Sequence, residues 1–346
     1  MRHKRSIQSE LLLLALLFFF LPVSAQAEET ALNTHVTPIF PESQVDESKG
    51  YYELLLAPKQ KEILQLKVGN SSSEPIYVQV TPHTAYTNTL GNVEYGKDAE
   101  EADPNLIHSL DELMTPSEVI TLAGKETKVI DIPLQMPKDA FEGYLAGGLR
   151  ITEVKEEEES EAPEGEGVAI KNEFAHVVGV VVSNTRDSVQ PELELLDVFA
   201  DQLNYRNVIS ATLQNFTPTF VNQLAVEATV KRAGENEVLY KAEKEMMQMA
   251  PNSNFNFPIS LEGDRFRSGN YVLELTAKSG ENEWSWTREF TIEAEEARKL
   301  NREDVTIDSG INWWMIGVII LILILFGFII YLIVQKKHNT EKGQSK

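Results

Sequence analysis

The sequence predicts an all-β protein: two tandem immunoglobulin-like β-sandwiches followed by a single C-terminal transmembrane helix. Three observations carry that prediction. Short segments of alternating apolar and polar residues, separated by Gly, Pro, Asn and Ser turns, recur through residues 33–292. The chain has no cysteine, so an immunoglobulin-like pair of sheets would lack the disulfide. One uncharged apolar run, Trp313 to Val334, follows the last of these segments.

The N-terminus reads as a secretory signal peptide over residues 1–27. Arg2, Lys4 and Arg5 form its charged region, Leu11 to Leu21 its apolar region, and Ala25-Gln26-Ala27 a small-x-small cleavage site. A first sandwich is expected over 28–187. Leu64, Leu66 and Val68 alternate, Gly69 to Ser73 turns, and Ile76, Val78 and Val80 alternate again, which reads as a hairpin. A short helix is expected from Leu106 to Met114, stopped by Pro116, and another strand from Thr127 to Leu134. The glutamate-rich segment Glu153 to Gly167 reads as a solvated loop, with a weak cation site as the sharper alternative. Gly147 to Ile151 and Val177 to Val182 flank it and are apolar enough to pair, so the loop interrupts one domain and does not separate two.

A second sandwich is expected over 188–294, with strands at 192–198, 208–213, 224–230, 254–259, 271–277 and 284–292. Trp284 and Trp286 point to one face of the last strand, either into the core or outward as a binding platform. Residues 295–312 read as a stalk, helical at first. Helix geometry gives 313–334 a length of about 33 Å, enough for a hydrocarbon core of about 30 Å. Trp313 and Trp314 suit an interfacial belt, and Lys336 and Lys337 place the tail, 335–346, in the cytoplasm.

The formal net charge is −22. Such an acidic surface argues against tracking nucleic acid or other phosphate polymers. The chain has no G-x-S-x-G elbow, P-loop, H-E-x-x-H or cysteine nucleophile. His35, His83, His108 and His176 are too scattered for a local metal motif, so no catalytic, metal or cofactor residue is expected. Tyr51, Tyr52, Tyr86 and Tyr95 are candidates for stacking on sugar rings, or else strand-side packing. Two sequons, at Asn70 and Asn215, read as turn composition.

Thr37 to Gln44, Tyr51 to Leu54, Val68-Gly69-Asn70, Thr87-Asn88, Gly91, Tyr95, Phe141-Glu142-Gly143 and Gly147-Gly148 resemble the N-terminal domain of the WxL-interacting proteins of low-GC Gram-positive bacteria. Met246 to Phe255, with its Met-Ala-Pro-Asn-Ser-Asn-Phe run, Gly269-Asn270-Tyr271, Trp284-Ser285-Trp286 and Phe290 to Ile292 are similar to the C-terminal domain of that family. Lys59 stands where the family is expected to have glycine. The resemblance implies a peptidoglycan-binding first domain, a second domain that binds host matrix such as fibronectin, and complexes with a secreted WxL protein. Candidate binding residues are then Tyr51, Tyr52, Tyr86, Asn88 and Tyr95 in the first domain and Asn252, Asn254 and Trp284 in the second. The expectation is a non-catalytic, membrane-anchored surface scaffold or adhesin with its N-terminus outside. The alternatives are an enzyme of wall metabolism with unrecognised carboxylates, or a membrane-coupled sensor.

Overall fold

A computed structural model describes residues 33–154, 174–307 and 313–343. The expected signal peptide and most of the acidic loop lie outside these residues. The first sandwich contains β1 (Thr34–Ile39), β2 (Tyr52–Leu55), β3 (Lys61–Asn70), β4 (Ile76–Thr84), β5 (Tyr86–Thr87), β6 (Val93–Glu94), β7 (Ile120–Leu122), β8 (Thr127–Gln135), β9 (Leu145–Glu153) and β10 (Ala175–Ser183). Its two layers are β1-β3-β8 and β2-β10-β9-β4-β7, with β5 and β6 pairing separately. Alternation dictates the packing: Leu64, Leu66 and Val68 of β3 face Val78, Val80, Leu149 and Val180 of the other layer across one core.

The hairpin expected from 64–68 and 76–80 does not form. Both strands exist, but β3 pairs with β1 and β8, while β4 pairs with β9 and β7. The intervening corner carries the chain from one layer to the other. Asn70 holds that corner, donating from Nδ2 to the carbonyls of Glu74 at 2.7 Å, Ala123 at 3.0 Å and Leu122 at 3.2 Å. By contrast β9 and β10 do pair, Gly147 opposite Val180, on either side of the acidic loop.

The second sandwich has β11 (Leu193–Leu203), β12 (Arg206–Asn215), β13 (Val221–Arg232), β14 (Val238–Met249), β15 (Ser253–Ser260), β16 (Gly269–Ser279) and β17 (Asn282–Ile292). The layers are β11-β12-β15 and β14-β13-β16-β17, antiparallel throughout. They enclose a separate core that includes Leu195, Ile209, Leu213, Val226, Phe257 and Leu273. Asn215 repeats the role of Asn70. It donates to Thr219 O at 2.7 Å and Ala250 O at 2.8 Å where the chain crosses between layers. Both asparagines are buried with their amides engaged, so neither sequon offers a glycan acceptor on the folded chain.

The expected 106–114 helix shrinks to α1 (Leu110–Leu113), because residues from Asp103 onward are held in turns by contacts described below. The helix expected after the second sandwich forms as α2 (Ala294–Glu303), opened by a Glu293–Glu296 capping box. It is not a free stalk. Ala297 is buried in the second core, and Leu300 O and Asn301 Oδ1 accept from Gln202 Nε2 at 2.8 Å and Asn207 Nδ2 at 2.9 Å. Trp313–Gly343 is helical (α3). Side chains are described in it only for 316–331, and among the described residues no helix is long and apolar enough to cross a membrane.

Candidate functional site

The two sandwiches meet through the signature run of the second. Ala250 is fully buried in a small apolar cluster with Ala85, Ala146 and Val181, against which Tyr51, Tyr95, Tyr144 and Phe220 pack. Its N–H donates to Thr87 Oγ1 at 3.0 Å. Ser253 Oγ donates back to Ala250 O at 2.9 Å, which leaves Thr87 Oγ1 to donate to Ser253 Oγ at 2.6 Å. Three buried groups from two domains thus close one ring of hydrogen bonds, in which each bond polarises the next.

Two glycines allow the close approach. A Cβ at Gly143 (φ +69) would lie 2.1 Å from Pro218 O, and one at Gly91 (φ +64) 2.4 Å from Met247 Sδ. Both backbones are bonded across the junction, Tyr144 N to Pro218 O and Gln248 N to Gly91 O, each at 2.8 Å.

A second clasp lies beside the ring. Asp103 is buried with no cationic partner among the described residues; its carboxylate accepts Gln214 Nε2 at 2.9 and 3.0 Å and Asn254 Nδ2 at 2.6 Å. Its Oδ1 also accepts Asn105 N at 2.9 Å, which turns the chain before α1 and shortens that helix. Amide donors replace water around this carboxylate, so the clasp is polar yet satisfied.

Between the clasps sits a cavity of about 180 Å³, with Thr84, Tyr86, Asp98, Glu101 and Asp111 on the first side and Asn252 and Asn254 on the second. Ordinary ligand clefts start near 300 Å³, so this one has room for about one ring or one side chain. Asp98 is engaged by His83 Nδ1 at 2.9 Å and Thr84 N at 3.0 Å, and Asp111 by Thr84 Oγ1. Among the described residues no group of His and carboxylates is arranged to hold a metal. What the cavity offers is the half-buried ring of Tyr86, with Lys97 Nζ 5.8 Å from its centroid, and hydrogen-bonding amides and carboxylates. That suits recognition of a hydroxyl- or amine-bearing group.

The candidate residues therefore divide. Tyr86, Asn252 and Asn254 converge on the cavity. Asn252 takes the left-handed conformation (φ 45) and donates to Phe216 O at 3.0 Å, shaping the loop. Tyr51 and Tyr95 pack at the junction, and burial pushes the Tyr95 hydroxyl up to about 12. Tyr52 has no exposed surface and donates to Gln65 O, so it offers no face to a sugar. Asn88 builds a turn, its Oδ1 accepting the N–H groups of Leu90 at 2.9 Å and Asn92 at 3.1 Å. Trp284 and Trp286 pack partly buried on the second core, and Trp284 Nε1 donates to Glu192 at 3.0 Å. Thr87, Asp103, Gln214 and Gly143 carry the junction without having been singled out as site residues; Thr87 and Gly143 were visible only as parts of family motifs.

Comparison with known proteins follows this architecture. Two family models match in order: "WxL Interacting Protein, peptidoglycan binding domain" over residues 35–153 and "WxL Interacting Protein, host binding domain" over 165–302. The second match takes in β10, which the structure places in the first sandwich. No curated protein matches the chain. Among solved structures, the Pseudomonas aeruginosa CupB2 chaperone is similar at 15% identity and a TM-score of 0.29, over 69% of this chain and 97% of that one. The Escherichia coli chaperone DraB is similar at 12% identity and a TM-score of 0.26, over 75% and 96%. With both models matched in the order of the two sandwiches, the chain belongs to the WxL-interacting protein family.

Proposed function

We propose that this chain is a non-catalytic cell-surface scaffold whose first sandwich engages peptidoglycan and whose second engages a secreted WxL protein or a host matrix protein. The observation that carries the reading is the pair of matched binding-domain models on two sandwiches joined by satisfied polar clasps. In this reading the junction cavity takes part in wall recognition, with Tyr86 stacking on a sugar ring and Asn252 and Asn254 bonding its substituents. The whole of Trp313–Val334, longer than the part with described side chains, crosses the membrane of a Gram-positive cell. It leaves the sandwiches outside and the lysine-bearing tail within.

The test uses the full chain in detergent. It is mixed with purified sacculi and, separately, with an immobilised WxL-domain protein. The reading expects sedimentation with the first and capture by the second, with no muropeptide released from the sacculi. Failure of both binding assays, or release of muropeptides, contradicts it.

A further inference from the structure

The far end of the second sandwich is formed by the β11–β12 turn, the loop before β16 and the chain leaving α2. Leu203 and Arg206 pair across a two-residue turn in which Asn204 (φ 52) and Tyr205 (φ 57) are both left-handed. This is a type I′ geometry, whose second central position favours glycine. A bulky aromatic residue there is strained, and Tyr205 is 71% exposed, so packing does not offset the strain. Neither local conformation nor the core explains a tyrosine at this point.

A second exposed apolar side chain sits beside it. Val305 is 70% exposed, and its N–H donates to Tyr205 O at 3.0 Å. Asp304 pins the segment to the hairpin, accepting Asn207 N at 2.7 Å and Thr306 Oγ1 at 2.6 Å. Exposed Arg206 and Arg302 flank the pair in sequence, and among the described residues neither is in an ion pair. In a chain of net charge −22 this end presents an amphipathic aromatic, an aliphatic and the exposed guanidinium groups of Arg206, Arg265, Arg267 and Arg302, which are no fewer than its exposed carboxylates Glu262, Asp264 and Glu303. The chain leaves from the same place. Six residue steps separate Ile307 from Trp313, a reach of about 20 Å at full extension.

We propose that this end of the second sandwich rests on the outer leaflet of the membrane that holds Trp313–Val334. Tyr205 and Val305 sit at headgroup level, and Arg206 and Arg302 on anionic lipid phosphates. The inference rests on the membrane crossing put forward above, and its test separates the two. Because the chain has no cysteine, full-length Tyr205→Cys, Val305→Cys, Ile107→Cys and Leu323→Cys variants each accept one environment-sensitive fluorophore. Each is reconstituted into phosphatidylcholine–phosphatidylglycerol vesicles carrying shallow or deep nitroxide lipids.

The expected result is quenching by shallow nitroxides at 205 and 305, by deep nitroxides at 323, and by neither at 107, an 85% exposed position on the first sandwich. Replacing phosphatidylglycerol with neutral lipid is expected to reduce quenching at 205 and 305. The Val305 variant guards against disturbance of the strained turn. Quenching at 323 but at neither 205 nor 305 overturns this contact, leaves the anchor standing and frees the face for a protein partner. Absence of quenching at 323 overturns the crossing and the contact together. Equal quenching at 107 and 205 means general adsorption and also overturns the contact.

Discussion

Thr87 shows how one hydroxyl can join two domains. It is buried, accepts Ala250 N and reaches Ser253 Oγ, so Thr87→Val removes the acceptor for a buried N–H while nearly keeping the side chain's shape. Leaving such a donor unpaired costs about 1–3 kcal/mol. Denaturant unfolding of the full chain is expected to show that loss, whereas Thr89→Val, at an exposed neighbouring position, is expected to leave the midpoint unchanged. An equal response from both would remove the special role of the ring. At this scale the sequence was only partly legible. Tyr51 and Tyr52 are alike as candidates in the sequence: Tyr52 opens β2 and enters the core while Tyr51 precedes the strand and packs at the junction, and nothing local says which faces in. The hydrogen-bond ring at the junction was hidden for a different reason: it is built from Thr87, Ala250 and Ser253, small residues that leave no strongly apolar or charged signature in the sequence.

At the scale of elements, alternation located the strands but not their partners. Leu64, Leu66 and Val68 read as a buried face, and they are; the same pattern fits a strand paired with its successor or one that crosses to the opposite layer. Asn70 and Asn215 make that choice by bonding carbonyls beyond the turn, and a short polar turn looks alike in both cases. The β9–β10 pairing was legible through the acidic loop because both segments are apolar enough to need a central place. The turn at Ala57–Gln60 is similarly clear. Gln60 N donates to Ala57 O at 3.1 Å, with Pro58 and then Lys59 at φ 63, a type II geometry that favours glycine where lysine stands. Lys59→Gly is expected to raise stability by up to about 1 kcal/mol in thermal unfolding by relieving the left-handed strain. A fall would show that the Lys59 side chain contributes more than its backbone strain costs.

For the whole molecule, the clasps join two separately cored sandwiches at a fixed approach, which a Cβ at Gly143 would block. On the proposed topology the second sandwich lies against the bilayer and the first points toward the wall. A host-binding role would then use the sheet faces or edges of the second sandwich and not its far tip. The sequence indicated two β-rich units, but their relative placement depends on contacts such as Asp103 with Gln214 and Asn254, which lie far apart in the chain. On the proposed function the junction cavity takes part in wall recognition, and Tyr86 is the side chain that tests it. The most direct measurement is the affinity of the full chain for purified sacculi, compared with Tyr86→Ala. Loss of one stacking contact of about 1.4 kcal/mol predicts roughly tenfold weaker sedimentation, with unfolding unchanged to within about 1 kcal/mol. Undiminished binding by the variant would contradict the account.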